Sequence, residues 1–316
     1  MINNNDLIIN GIIGFIIGDA LGVPLEFKER NSYEKVIDMV GYGTYNLPKG
    51  YWSDDSSMLI ATIKSIIDKN GIDYVDIMNN FMKWAYENEF TPNNKAFDIG
   101  NTTSKALRNY YYKDEFKICE NPLKCGVDDI NDNGNGSLMR ILPIAYYCYY
   151  KKLNDDEIYD LVKNISSLTH KHNISILGCF IYSLFAIKLL SGDEKKNAYK
   201  YIREYDYSKY FDKKIINYYT KIIDKDISKE KIDNINSSGY IVSTLESVIW
   251  CLMNNNSYYN CVIEAINLGN DTDTIGALVG GLSGIYYKNL PKEWLNELMR
   301  KDYLINLCDK FRKCLK

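Results

Sequence analysis

Helical periodicity runs through nearly the whole chain, and no stretch of useful length alternates apolar and polar residues as a strand would. Between residues 72 and 89, Ile72, Val75, Met78, Phe81, Met82 and Ala85 recur every three or four positions, with polar residues in the gaps. That is the pattern of a helix with one buried face. The same reading places helices at about 5–18, 56–69, 103–112, 137–150, 156–167, 173–190, 195–204, 208–224, 240–254, 257–267, 273–287 and 292–313. An all-α fold follows. Only six prolines and no Gly/Ser-rich linker interrupt the 316 residues, and the polar motifs described below lie towards both ends. One compact domain over residues 1–316 is therefore expected.

Composition narrows the function classes. The 38 Lys and Arg against 41 Asp and Glu leave a net charge of -3, which supplies no general attraction to nucleic acid or anionic lipid. No two of the eight cysteines form a C-x-x-C, so zinc-ribbon and thioredoxin-type sites are excluded. A reduced, cytoplasmic protein is expected. The apolar N-terminal stretch lacks a basic leader and is interrupted by Asn10 and Asp19, so neither a signal peptide nor a membrane span is expected there.

Four short clusters, each polar or rich in glycine, lie next to apolar helices. Ser53-Asp54-Asp55-Ser56-Ser57 runs into Met58, Leu59 and Ile60, and Asp271-Thr272-Asp273-Thr274 runs into Ile275. Taken singly, each reads as a helix N-cap with acidic first-turn residues. Together they offer four carboxylates and several short hydroxyls, the hard oxygen donors that Mg²⁺ or Mn²⁺ takes and Zn²⁺ does not prefer. Asp-x-Asp spacing also points to a loop-to-helix junction, because residues i and i+2 of a continuous helix point apart. The helix after the second cluster carries Gly276, Gly280 and Gly284, a stripe that allows close helix packing and would hold the acidic end in place.

The third cluster, Asn133-Gly-Asn-Gly-Ser-Leu-Met-Arg140, reads either as a tight turn or as a cradle of three exposed N–H groups for an anion or a diphosphate. The fourth is Gly11-x-x-Gly14-x-x-x-Gly18-Asp19, followed by Glu26. Asp19 is either an acid behind the site or an ordinary helix-end residue, and Glu26 either reaches the site or lies in solvent. His170 and His172 are the only histidines, and there is neither a G-x-S-x-G nor a G-x-x-x-x-G-K-[ST], so a nucleophilic triad or a P-loop finds no support. His170 serves as a ligand contact or as a structural cap.

Five blocks in this order resemble the ADP-ribosylglycohydrolase family: Gly18-Asp-Ala-Leu-Gly-Val-Pro-Leu-Glu26, Leu47-Pro-Lys-Gly-Tyr-Trp-Ser-Asp-Asp-Ser56, Phe97-Asp-Ile-Gly-Asn-Thr-Thr103, Gly134-Asn-Gly-Ser-Leu-Met-Arg140 and Gly269-Asn-Asp-Thr-Asp-Thr274. Leu-Thr-His170 stands in its place between the last two. The resemblance implies an orthogonal helical domain of that family's type, with a dinuclear Mg²⁺ or Mn²⁺ centre at the bottom of a cleft. By position, Ser53, Asp54, Asp55, Asp271, Asp273 and Thr274 match the family's metal ligands. Ser53 replaces the commoner Thr and keeps the hydroxyl, and Asn270 replaces the commoner Gly.

The resemblance further implies that Asp98, Asp55 or Glu26 acts as acid and base, and sequence does not choose among them. Gly134, Asn135, Gly136 and Ser137 would cradle the diphosphate of ADP-ribose, with Asn101 and His170 near its riboses or phosphates. The distal ribose would sit on the metals while water attacks its anomeric carbon. The implied substrate is an ADP-ribosylated protein, with arginine as the first acceptor to consider, and a monomer is expected. Two alternatives stay open: a non-catalytic ADP-ribose-binding or partner-blocking protein, and a hydrolase of a free ADP-ribose derivative. The motif-free segment 191–236 is expected to carry acceptor specificity.

Overall fold

Two helices that are apolar on every side set the architecture. In the computed structural model, which describes residues 6–112 and 117–316, the helices are α1 (Leu7–Gly22), α2 (Asp54–Lys69), α3 (Tyr74–Glu87), α4 (Asn101–Tyr110), α5 (Leu142–Lys151), α6 (Asp155–Ser167), α7 (Asn173–Leu190), α8 (Lys195–Glu204), α9 (Lys213–Ile216), α10 (Thr220–Ile223), α11 (Ile241–Asn254), α12 (Tyr258–Ile266), α13 (Thr272–Tyr287), α14 (Lys292–Glu297) and α15 (Lys301–Leu315). Among the described residues the only ladder is a two-residue antiparallel pair, Tyr111–Tyr112 with Lys117–Ile118. The all-α expectation holds.

The central pair is α1 and α13. Every residue of α1 from Ile8 on is buried, as is every residue of α13 up to Ile285. They lie antiparallel in glycine register: a Cβ on Gly276 would stand 2.5 Å from the Gly18 carbonyl oxygen, one on Gly14 2.7 Å from that of Gly280, and Gly284 meets Asn10 in the same way. No side chain larger than hydrogen fits between these backbones. The glycine stripe read from the sequence is therefore a close helix–helix seam inside the protein. Its consequence for function is that the C-terminal end of α1 is held against the N-terminal end of α13, with Gly22 beside Thr272 and Asp273.

The remaining helices cover this pair. α11 and α12 pack on α13, α2 lies among α1, α3 and α15, and α5 and α6 pack on α7. By length and composition alone, Leu7–Leu25 and Asn173–Leu190 are each apolar enough to cross a membrane, yet 94% and 83% of those windows are buried inside the protein. Core helices pass the same test. Asn10 does not interrupt the first run, because its amide donates to the Asp6 carbonyl at 2.8 Å.

The predicted boundaries at 173–190 and 195–204 match α7 and α8. Residue 5, where the first predicted helix starts, lies outside the described residues. Two long predictions are broken. The 208–224 stretch becomes short turns that wrap the chain so that Tyr207, Phe211, Tyr219 and Ile222 are all buried, and Tyr219 donates its hydroxyl to the Ile174 carbonyl at 2.7 Å. The 292–313 stretch splits into α14 and α15, because the Met299 N–H donates to Gly50 and Arg300 adopts φ +50°.

Candidate active site

The site grows from the seam. At the end of α1, the Asp19 carboxylate accepts the N–H groups of Ser53 and Ser56, each at 3.0 Å, and the Ser56 hydroxyl at 2.5 Å. An α1 acid thus caps the start of α2, which satisfies orphan helix donors and complements the helix dipole. This settles the open reading of Asp19 as the residue that fixes α2 in place. Burial raises its pKa to about 6. Ser53 is the N-cap of α2: its hydroxyl accepts from the Asp55 N–H at 3.2 Å and donates to Asp55 Oδ2 at 3.1 Å. The Thr274 hydroxyl, at the start of α13, also lies 3.3 Å from Asp55 Oδ2. Ser53, Asp55 and Thr274 therefore meet at one oxygen, although 219 residues separate the last two.

Carboxylates converge around that point. Oxygen atoms of Glu26, Asp271 and Asp273 lie within 4.8 Å of one another. Asp54 and Asp55 lie on the facing helix end, and all five side chains are buried apart from half-buried Asp271. Burial and then the Asp98 and Asp271 charges push Glu26 up to about 9. Burial and then their acidic neighbours raise Asp54, Asp55 and Asp273 well above the usual carboxylate range, and burial raises Asp98 and Asp271 too. Glu26 Oε2, Asp55 Oδ1 and Asp273 Oδ2 are buried and have no hydrogen-bond partner among the described residues. Stranded buried carboxylate oxygens cost several kcal/mol unless a cation or a proton meets them. The donor set is all oxygen, so it fits a hard divalent cation such as Mg²⁺ or Mn²⁺.

The opposite wall has another character. A cleft of about 500 Å³ runs between the acids and the segments Gly134–Gly136 and Ser238–Gly239, with Asn101, Met139 and His170 also lining it. The Asn135 N–H of this wall is already bonded to the Gly239 carbonyl at 3.0 Å, so the cradle has fewer free donors than the three expected. The Asn135 side chain instead bonds Asp271 Oδ2 and Thr244 Oγ1. Ser137 lies off the cleft. Its hydroxyl contacts Cys179 Sγ at 3.3 Å and accepts from Ser166 at 3.0 Å, so only its backbone is available there.

His170 is buried and faces the cleft, close enough to Gly136 that a Cβ there would lie 3.3 Å from Nε2. Its Nδ1 lies 2.8 Å from the Thr169 hydroxyl, which accepts from Arg140 Nη2 at 2.7 Å. Arg140 is always a donor, which leaves the Thr169 hydrogen free to go to Nδ1; in that arrangement the ring proton is on Nε2, on the cleft side. Burial and then the Arg140 charge push the His170 pKa down to about 3, which keeps the ring neutral. Arg140 itself is fully buried, stacked 4.7 Å from the Phe81 ring, with its other hydrogen bonds going to the Ile165 carbonyl.

Of the residues singled out in the sequence, Glu26, Asp54, Asp55, Asp98, Asn101, Gly134, Asn135, Gly136, His170, Asp271 and Thr274 line the cleft, while Ser53 and Asp273 lie buried against it. No residue of 191–236 lines it. Gly100, Thr102, Thr103 and Met139 also line the cleft, from blocks the sequence reading quoted without giving those residues a role, and Phe27, Ser238 and Gly239 lie outside every quoted block. The stretch Asn236-Ser-Ser-Gly-Tyr240, polar and just before α11, carried the same signal as the other clusters. Asn270 has φ +60°, a conformation open to glycine and tolerated by asparagine. The backbone expected from the commoner Gly is therefore kept, with Asn270 Nδ2 bonded to Ser237 Oγ at 3.1 Å.

These observations agree with comparisons to known proteins. The family model for ADP-ribosylglycohydrolase matches residues 2–315. An ADP-ribosylarginine hydrolase Tri1 of Pseudomonas putida (strain GB-1) is 30% identical over 303 residues, covering 94% of this chain and 75% of that protein. An ADP-ribosyl-[dinitrogen reductase] glycohydrolase of Rhodospirillum rubrum is 26% identical over 310 residues, covering 94% and 92%. A solved structure titled ADP-ribosylglycohydrolase-related protein complex shares the fold, with a TM-score of 0.80 over 99% of each chain at 24% identity. With a cleft assembled from the same five blocks and a match from end to end, the chain belongs to the ADP-ribosylglycohydrolase family of enzymes.

Proposed function

We propose that this protein is a metal-dependent hydrolase that releases ADP-ribose from ADP-ribosylated arginine on a protein. The observation that carries the reading is the pairing of two unlike walls around one cleft: clustered carboxylates with stranded oxygens on one side, and backbone donors with a neutral His170 on the other. Ser53, Asp54, Asp55, Asp271, Asp273 and Thr274 would hold two Mg²⁺ or Mn²⁺ ions. The ions would supply Lewis-acid charge stabilisation and an acidified water.

The protein's own groups set the rest. His170 Nε2–H and the N–H groups of Gly134 and Gly136 would donate to the ribose and diphosphate oxygens, which are anionic or hydroxyl acceptors. Tyr240 pairs through its backbone with Gly134 and is partly exposed, which makes its ring the candidate to stack on the adenine. Asp98, half-buried beside Glu26, is within reach of the bond between ribose and acceptor. Its raised pKa suits a group that gives a proton to the departing guanidine nitrogen, with Glu26 or Asp55 as the base for the attacking water. Cleft residues run from Glu26 to Thr274, which supports one domain, and the eight free thiols suit a reducing, cytoplasmic setting.

The test is release of free ADP-ribose from arginine-ADP-ribosylated protein with Mg²⁺ or Mn²⁺, with EDTA, and beside a serine-linked substrate. Metal-dependent release from arginine is the expected result. ADP-ribose binding without release from either substrate would instead identify a binding protein, and release only from serine would move the acceptor.

A further inference from the structure

Among the described residues Phe27 is the most solvent-exposed phenylalanine, at 67%, and it is the one Phe, Tyr or Trp that lines the cleft. An exposed apolar ring by itself asks for no explanation. This one is held at φ +62°, a left-handed conformation that is a genuine outlier for a bulky residue. The backbone is locked there on both sides. The Phe27 N–H donates to the Asn270 carbonyl, and the Asn270 N–H donates to the Lys28 carbonyl, each at 2.7 Å. The strain keeps the ring out of the core and at the mouth of the cleft, and strained backbone that the surroundings over-determine gathers at functional sites.

The surroundings of the ring say what it would meet. Glu26 precedes it, with a buried and unpartnered Oε2, and Asp98 and Tyr45 lie against Glu26. The Tyr45 ring is 6.4 Å from Phe27 and 4.7 Å from Phe97. The cation next in sequence does not occupy the Phe27 face, because the Lys28 ammonium sits over Tyr33 instead. An open aromatic face beside carboxylates is a recognition element for a flat cation. Phe27 lines the cleft together with Glu26 and Asp98, so its ring stands on the acidic wall, the side where the acceptor leaves in the reading above.

We infer that Phe27 is a specificity-determining residue whose ring stacks on the guanidinium of the acceptor arginine, with Asp98 and Glu26 at its edge. This rests on the arginine reading above. It replaces segment 191–236, which lines none of the cleft, as the source of acceptor preference.

The experiment is calorimetric titration of agmatine, which carries a free guanidinium, into the Mg²⁺-loaded protein saturated with ADP-ribose. Wild type is expected to bind agmatine. Phe27→Ala and Phe27→Leu should weaken it about 5- to 20-fold, while Phe27→Trp should keep it. All three should bind ADP-ribose as wild type does, which also shows that they fold. Wild-type affinity for agmatine in Phe27→Leu would overturn the proposal by showing a merely apolar wall. Absence of agmatine binding in wild type would overturn it too, as would an equal loss of ADP-ribose affinity in Phe27→Ala. Because no turnover is read, a protein that binds agmatine through Phe27 yet releases no ADP-ribose would sink the proposed activity alone.

Discussion

The two walls of the cleft solve opposite electrostatic problems. On the acidic wall, buried carboxylates of Glu26, Asp54, Asp55 and Asp273 crowd together and leave oxygens without partners. Behind the other wall, Arg140 is buried without a carboxylate in its hydrogen-bond set, and burial together with the Arg140 charge holds His170 neutral. Neither arrangement is a low-energy way to bury charge. An acidic wall short of cations beside a wall of donors suits a ligand that brings its own anionic groups together with divalent metal. The lesson is that a stability defect, read with its sign, points to the missing chemistry.

The sharpest way to break the comparison is to discharge the acidic wall. Asp54→Ala with Asp55→Ala should lower turnover on an arginine-linked substrate by about 10³-fold, the scale seen when preorganised electrostatic groups are removed. Turnover within tenfold of wild type would mean that the acids are only helix caps. Next in size is the seam that holds the acids together. Gly18→Ala places a Cβ against the Gly276 carbonyl and should cost about 3 kcal/mol in denaturant unfolding, whereas an unchanged midpoint would show that the α1–α13 spacing is not tight.

Metal should recover stability on the same wall. At about 100 times its Kd, each bound Mg²⁺ should add about 2.7 kcal/mol. In EDTA the sign runs the other way with pH. Glu26 and its neighbours hold protons more tightly folded than unfolded, so the folded state binds more protons between about pH 4 and Glu26's value of about 9. The metal-free protein should therefore lose stability as pH rises through that window, and unfolding melts at pH 5, 7 and 9 would show it. A rise in stability instead would contradict the mutual repulsion.

The donor wall carries a smaller effect. Arg140→Met removes the donor that sets the Thr169–His170 network and should weaken ADP-ribose about tenfold by calorimetry. An unchanged affinity would leave His170 as a structural residue. Smallest of all, Asn270→Gly relieves φ +60° but loses the Ser237 bond, and its melting shift should correspond to less than about 1 kcal/mol.

Much of this protein is legible locally. Three- and four-residue periodicity located α8, because a helix is built from contacts four residues apart, and a largely apolar 18-residue run located α7, whose residues are buried on nearly every side. Hard oxygen donors at two helix starts suggested a cation site because donor chemistry is a property of residue type. The sequence also carried the glycines of the seam, since only they permit such close approach. What the seam does with them was decided in three dimensions. That Asp19 caps α2, that Glu26 turns inward to Asp271 and Asp273, that Arg140 imposes a tautomer on His170, and that Phe27 is held outward all depend on contacts between segments distant in sequence. Burial, pKa and ring exposure are properties of the packed neighbourhood, and a chain read residue by residue holds the donors without their distances.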